Sequence, residues 1–160
     1  MKPIHLENFV LQKSNPNNPK HCQLINDMNH ENNQTGYLHI LRNSETQYKS
    51  DHLYNSHYFV YNQNKVIGSL HIGNRYLLER KVYLAYGILQ NNRNQSYGTN
   101  LLKEASQYLL VHHLWINKIA LTIDPENQPS IHAAQKAGFQ LVVPSVDASH
   151  SAEYQVTRTR

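Results

Sequence analysis

Between Val82 and Val143 the chain alternates strand-like and helix-like runs, and that order leaves few folds open. Val82 to Leu89 is an apolar strand-like run, Thr99 to His113 repeats its apolar residues with a helical period, and Lys118 to Ile123 is strand-like again. A helix from Pro129 to Ala137 and a strand from Phe139 to Val143 follow, with Glu153 to Thr159 available as a last strand. Ahead of this region stands a hairpin pattern: Tyr58-Phe59-Val60-Tyr61, a turn at Asn62-Gln63-Asn64, then Lys65 to Ile72. Antiparallel strands followed by βαβα order predict an α/β class of the mixed α+β kind, one sheet flanked by helices.

The N-terminal third is less sharply patterned. Ile4 to Gln12 alternates as one strand, and Ser14 to Pro19 is a turn-rich break. His21 to Met28 places Cys22, Leu24, Ile25 and Met28 on one helical face, and the polar tract Asn29 to Gln34 ends it. Tyr37 to Leu41 is a short apolar piece, and Arg42 to Ser56 is polar, read as irregular or loosely helical.

With 160 residues the chain is expected to form one domain, residues 1–160, with its own core. No run of about 18 apolar residues occurs, so no membrane span is expected, and Met1 to Glu7 lacks the apolar stretch of a secretion signal. A cytoplasmic location is the expectation. The single cysteine, Cys22, excludes an internal disulfide and a Cys-based zinc site, and reads as a half-buried apolar residue.

Fifteen basic against eleven acidic residues give a net charge of +4, scattered along the chain as a solvated surface mildly biased towards anions. Nucleic-acid binding needs a basic stripe with interleaved aromatics, and Arg75, Arg80 and Lys81 read instead as part of a strand-connecting turn. The eleven histidines show no ligand spacing, since His112 and His113 are adjacent and point apart on a helix, so no metal is expected.

The chemistry concentrates at Arg93-Asn94-Gln95-Ser96-Tyr97-Gly98-Thr99, where a strand hands over to a helix. A compact turn there presents unpaired N–H groups with the positive end of the helix dipole behind them, which is a phosphate cradle. Taken alone, the segment reads equally well as an ordinary loop with a polar helix cap. A second segment shifts that balance: Asp124-Pro125-Glu126-Asn127 after a strand, then a short helix, then Ala137-Gly138-Phe139.

Together these segments, within about Tyr58 to Val143, resemble the coenzyme-binding half of the GNAT superfamily of N-acetyltransferases. That family's loop runs Gln or Arg, two residues, Gly, one residue, then Gly or Ala; Arg93 and Gly98 fill its first and last positions, and Ser96 stands where the first glycine lies. Asn127 with Gly138-Phe139 eleven residues on reproduces the family's second spacing.

The resemblance implies a mostly antiparallel sheet whose fourth and fifth strands, Val82 to Leu89 and Lys118 to Ile123, splay apart. It implies acetyl-CoA as co-substrate, with the pyrophosphate on the amides of Arg93, Asn94, Gln95, Ser96, Tyr97, Gly98 and Thr99 and the pantetheine arm between the splayed strands. An N–H near Ile88 or Leu89 would polarise the thioester carbonyl, and the Asn127 side chain would lie in the gap. The position of the family's usual tyrosine acid is Ala134. Asn127-Gln128-Pro129-Ser130 is similar to the branch that acetylates ribosomal-protein N-termini, which makes Ser130 a candidate acid, with helix capping as its other reading.

The strand position where many relatives carry a glutamate base holds Val82 or Tyr83, so Glu79, Tyr86 or His71 would serve through water. The implied acceptor is a primary amine, on a small molecule or a protein N-terminus, and scarce carboxylates argue against a polycation. The protein is expected to be a monomer or homodimer. The alternative reading, consistent with Ser96, Ala134 and the missing glutamate, is a non-catalytic acyl-CoA-binding or regulatory module.

Overall fold

A computed structural model of the protein describes residues 2–15, 17–31, 53–54, 56–146 and 150–159. Tyr37 to Leu41 and most of Arg42 to Ser56 lie outside the described residues. In chain order the elements are β1 (Ile4–His5), β2 (Val10–Lys13), α1 (Pro19–Glu31), β3 (Ser56–Asn62), β4 (Lys65–Tyr76), β5 (Lys81–Ile88), α2 (Tyr97–His112), β6 (Lys118–Ile123), α3 (Gln128–Lys136), β7 (Gln140–Val143) and β8 (Ala152–Thr157). Hydrogen bonding orders the strands β1-β2-β3-β4-β5-β6-β8-β7. The β5–β6 pairing is parallel, whereas β1–β2, β2–β3, β3–β4, β6–β8 and β7–β8 are antiparallel. The sheet is therefore mixed and mostly antiparallel. The chain falls into two compact units, one of residues 1–72 and 86–95, the other of residues 73–85 and 96–160.

In the first unit the stretch read as one strand, Ile4 to Gln12, is broken in two. The Leu6 N–H donates to the Phe9 carbonyl at 2.8 Å, closing a turn that folds β2 back on β1. This adds a strand, so the pair expected as fourth and fifth is fifth and sixth. The β3–β4 turn holds Gln63 and Asn64 at φ 48° and 65°, the left-handed pair whose twist matches a two-residue hairpin. Met28, Phe59 and Leu89 form a buried cluster against which Leu24 and Ile25 pack, so the expected apolar face of α1 is the face it buries. Gly68 of β4 has no alternative there, because a Cβ at that position would lie 2.1 Å from the Gly87 carbonyl oxygen.

In the second unit α2 buries Leu101, Leu102, Ala105 and Leu109 and packs, like α3, on β6. Side chains alternate across a strand, so Val82 and Leu84 on β5 and Ile119, Leu121 and Ile123 on β6 share the buried apolar face, with Ala152 and Tyr154 of β8 beside them. Lys81, Tyr83, Glu153 and Gln155 fall on the other face. Helix α3 is bounded by Asn127 as N-cap and by Gly138 at φ 95°. The Phe139 N–H reaches the Ala134 carbonyl at 3.0 Å, the six-to-one bond of a glycine-closed helix end.

The β5–β6 ladder consists of Lys81↔Lys118, Val82↔Ile119 and Tyr83↔Ala120. It stops there although both strands continue, and β6 stays paired with β8 along its whole length. Within the second unit, Leu84 and Ala85 thus part from Leu121 to Ile123, which is the divergence expected of these two strands.

Candidate active site

In the first unit the end of β5 leads into a single 3-10 turn, Gln90–Asn92, with Asn92 buried. Leu89 closes the strand by donating its N–H to the Ile67 carbonyl at 2.9 Å, so of the two expected oxyanion donors this one is committed. Exposed Arg93 folds back, its Nε donating to the Ile88 carbonyl at 3.1 Å. The Gln95 side-chain amide reaches the Asn91 carbonyl at 3.4 Å. Asn94 sits at φ 61°, in the left-handed region.

Ser96, the N-cap of α2 in the second unit, adopts φ 59° and ψ 8° and makes no side-chain capping bond. Its carbonyl accepts the Asn100 N–H at 3.0 Å. The first-turn amides of Tyr97, Gly98 and Thr99 point out of the helix end by geometry, and no acidic residue in that turn offsets the dipole. The serine occupies the conformation that glycine takes without strain, at a cost of roughly 1–2 kcal/mol.

Asn127 is exposed, and its Oδ1 accepts the Ser130 N–H at 3.2 Å. The cap is needed because α3 starts with Gln128-Pro129, and proline fits that first turn without a donor to lose. Ser130 is partly buried at the same helix start, so Asn127 and Ser130 are together as the motif implies. Ala134, at the position of the missing tyrosine, is fully buried.

The base candidates are dispersed. His71, in the first unit, stacks on His57 with ring centroids 4.2 Å apart and planes 17° from parallel, the two residues being paired across β3 and β4. Burial holds His71 below the ordinary histidine range and, with the charge of His71 as a second cause, takes His57 down to about 3. The His71 Nε2 is buried with no hydrogen-bond partner among the described residues. Tyr86 lies partly buried on β5. Glu79 is half-exposed and bound to Lys81, with Oε2 2.6 Å from the Nζ.

Lys81 leads to a polar cluster that sequence reading missed. Its Nζ also lies 3.2 Å from Glu153 Oε1, and the Tyr83 hydroxyl donates to Glu153 Oε2 at 2.6 Å. The Gln155 side-chain amide adds a short bond to Glu153 Oε1. Burial alone would lower the Lys81 ammonium, but its hydrogen bonds to Glu79, Tyr83 and Glu153 outweigh it and raise the group well above the ordinary lysine range. Burial would raise the Glu153 carboxyl, yet Tyr83, Gln155 and Lys81 bring it below its usual value. Burial and the Glu153 bond raise the Tyr83 phenol. These directions favour a charged Lys81, a charged Glu153 and a protonated Tyr83 that acts as donor. The one visible hint was Lys81 and Tyr83 two apart on a strand whose other residues are largely apolar.

The model of the acetyltransferase (GNAT) family matches residues 21–139. No curated protein matches significantly. Among solved structures, a RimL ribosomal L7/L12 α-N-protein acetyltransferase in complex with coenzyme A is similar at TM-score 0.75 and 12% identity, over 98% of each chain. A putative ribosomal-protein-serine acetyltransferase from Vibrio cholerae is similar at 0.68 and 17%, again over 98% of each chain. The Campylobacter jejuni N-acetyltransferase PseH in complex with acetyl coenzyme A is similar at 0.70 and 14%, over 94% of this chain and 99% of that one. At such identities the likeness speaks for the fold, and the fold agrees with what the family match covers: the first helix, the diverging strands, the loop before α2 and the Asn127 to Phe139 segment. By that match the chain belongs to the GNAT family of acetyltransferases and is an enzyme of the N-acetyltransferase kind.

Proposed function

We propose that the chain, working as one acetyltransferase domain over residues 1–160, moves an acetyl group from acetyl-CoA directly to a primary amine on a small molecule or a protein N-terminus. The observation that carries this reading is the start of α2: a helix of 16 residues with no side-chain cap and no acidic residue in its first turn, entered through left-handed Asn94 and Ser96. Those features suit the pyrophosphate of the coenzyme, which the amides from Asn94 to Thr99 hold. The coenzyme supplies the reactive thioester, and its pantetheine arm takes the place left in the ladder beyond Tyr83↔Ala120. The Leu89 N–H is committed to Ile67, so the reading looks to an N–H near Ile88 to stabilise charge developing on the carbonyl oxygen.

Ser130, at the dipole-positive end of α3, protonates the departing thiolate. Of the base candidates His71 fits best, because burial keeps its imidazole neutral and its Nε2 has no protein partner among the described residues. Titration of the protein with CoA in a calorimeter tests the reading: Gly98→Glu is expected to weaken binding more than tenfold by clash and like charge, and unchanged affinity sinks the assignment. Transfer to a panel of amines then separates enzyme from module. Firm coenzyme binding without transfer to any amine favours the non-catalytic acyl-CoA-binding reading.

A further inference from the structure

We infer that Tyr83 and Glu153 form a latch that fixes where β5 parts from β6 and so positions the pantetheine arm of the coenzyme. The inference rests on the coenzyme reading above. Tyr83↔Ala120 is the last pair of the parallel ladder, and in the β6–β8 ladder Ala120 faces Gln155 while Thr122 faces Glu153. Tyr83, Ala120, Thr122, Gln155 and Glu153 therefore share one face, with Glu153 one same-face step beyond the end of the β5 pairing.

A side chain on β5 can bond one on β8 only by passing over β6. Ala120 permits this: its methyl is small and it is fully buried. The Tyr83 hydroxyl spans the strand to Glu153 at 2.6 Å, and Lys81, two residues earlier on the same face, reaches the other carboxylate oxygen at 3.2 Å. Side-chain bonds thus tie β5 to β8 at the point where main-chain bonds between β5 and β6 run out. Lys81 is itself held, its side chain 8% exposed and its ammonium 2.6 Å from Glu79 and 5.0 Å from the Tyr83 ring centroid. With Tyr83 and Lys81 both bonded to Glu153, Leu84 and Leu121, the first residues beyond the β5–β6 ladder, start from one register, and the arm meets a gap of set position. Without the hydroxyl, β5 is free to slide or to pair further along β6.

Tyr83→Phe removes the hydroxyl and keeps the ring, and Glu153→Gln keeps the shape and removes the charge; either variant serves if the other fails to fold. Each is titrated with CoA and with 3′-phospho-ADP, the nucleotide half of the coenzyme without its arm. The expected result is CoA binding weakened about 3- to 30-fold with nucleotide binding unchanged, and KM for acetyl-CoA raised more than kcat is lowered. Equal loss for both ligands, or no loss for either, overturns the latch while leaving the coenzyme reading in place. A wild-type protein that binds neither ligand overturns the coenzyme reading and the latch with it.

Discussion

Buried His57 and half-buried His71 face each other across neighbouring strands as a stacked pair, and the energetic consequence falls at acid pH. Both are held below the ordinary histidine value, His57 at about 3, so an unfolded chain takes up protons at a higher pH than the folded one. Stability is then fully present above about 6.5, the unfolded value, and is lost as pH falls from there towards 3. The denaturant midpoint should drop between pH 7 and pH 4, and His57→Phe should flatten that slope. Equal slopes for the two proteins would remove the pair as the cause. Ser96 stores a different cost, that of a side chain at φ 59°. Ser96→Gly should raise stability by roughly 0.5–1 kcal/mol, read as a shift in denaturant midpoint, without weakening CoA.

Helix α3 shows how one element can carry both a structural and a chemical reading of the same residue. Asn127 caps it through Oδ1, which leaves the side-chain Nδ2 for another partner. Asn127→Ala should therefore cost about 1 kcal/mol of stability, whatever else the residue does. Asn127→Asp keeps the capping oxygen and discards the amide donor. If the residue also bonds the coenzyme, Asn127→Asp restores the lost stability but not the KM for acetyl-CoA; restoration of both reduces Asn127 to a cap. Elements of this kind were legible because their signals are local: a cap, a proline in the first turn, a glycine at the end, and periods of 3.6 or 2. The same locality explains the failure at Ile4 to Gln12. Its turn, Leu6 to Phe9, contains neither glycine nor proline, and the bond that closes it is main-chain to main-chain, so the apolar alternation hid the break.

At the scale of the whole molecule, what escaped the sequence is what depends on strand order. Glu153 lies 72 residues from Lys81 and meets it only because β8 inserts between β6 and β7, and no period or motif encodes that insertion. The same order sets the charge pattern. The chain carries +4 overall, yet Glu79 and Glu153 against Lys81 leave the latch cluster with a surplus of one negative charge. On the proposed reading, a coenzyme carrying several phosphate charges would be drawn by the net positive charge and held locally by main-chain amides at the α2 start, since the Arg93 side chain is turned back on Ile88. Diffuse attraction is screened by salt, whereas amide hydrogen bonds in a formed loop are not. The association rate of CoA, measured by stopped flow, should fall several-fold between about 20 and 200 mM salt, over which the Debye length shrinks to less than 10 Å. The dissociation rate should change much less. A dissociation rate that carries most of the salt dependence would mean that side-chain charges hold the phosphates, and would move the binding role from the α2 amides to the exposed lysines and arginines.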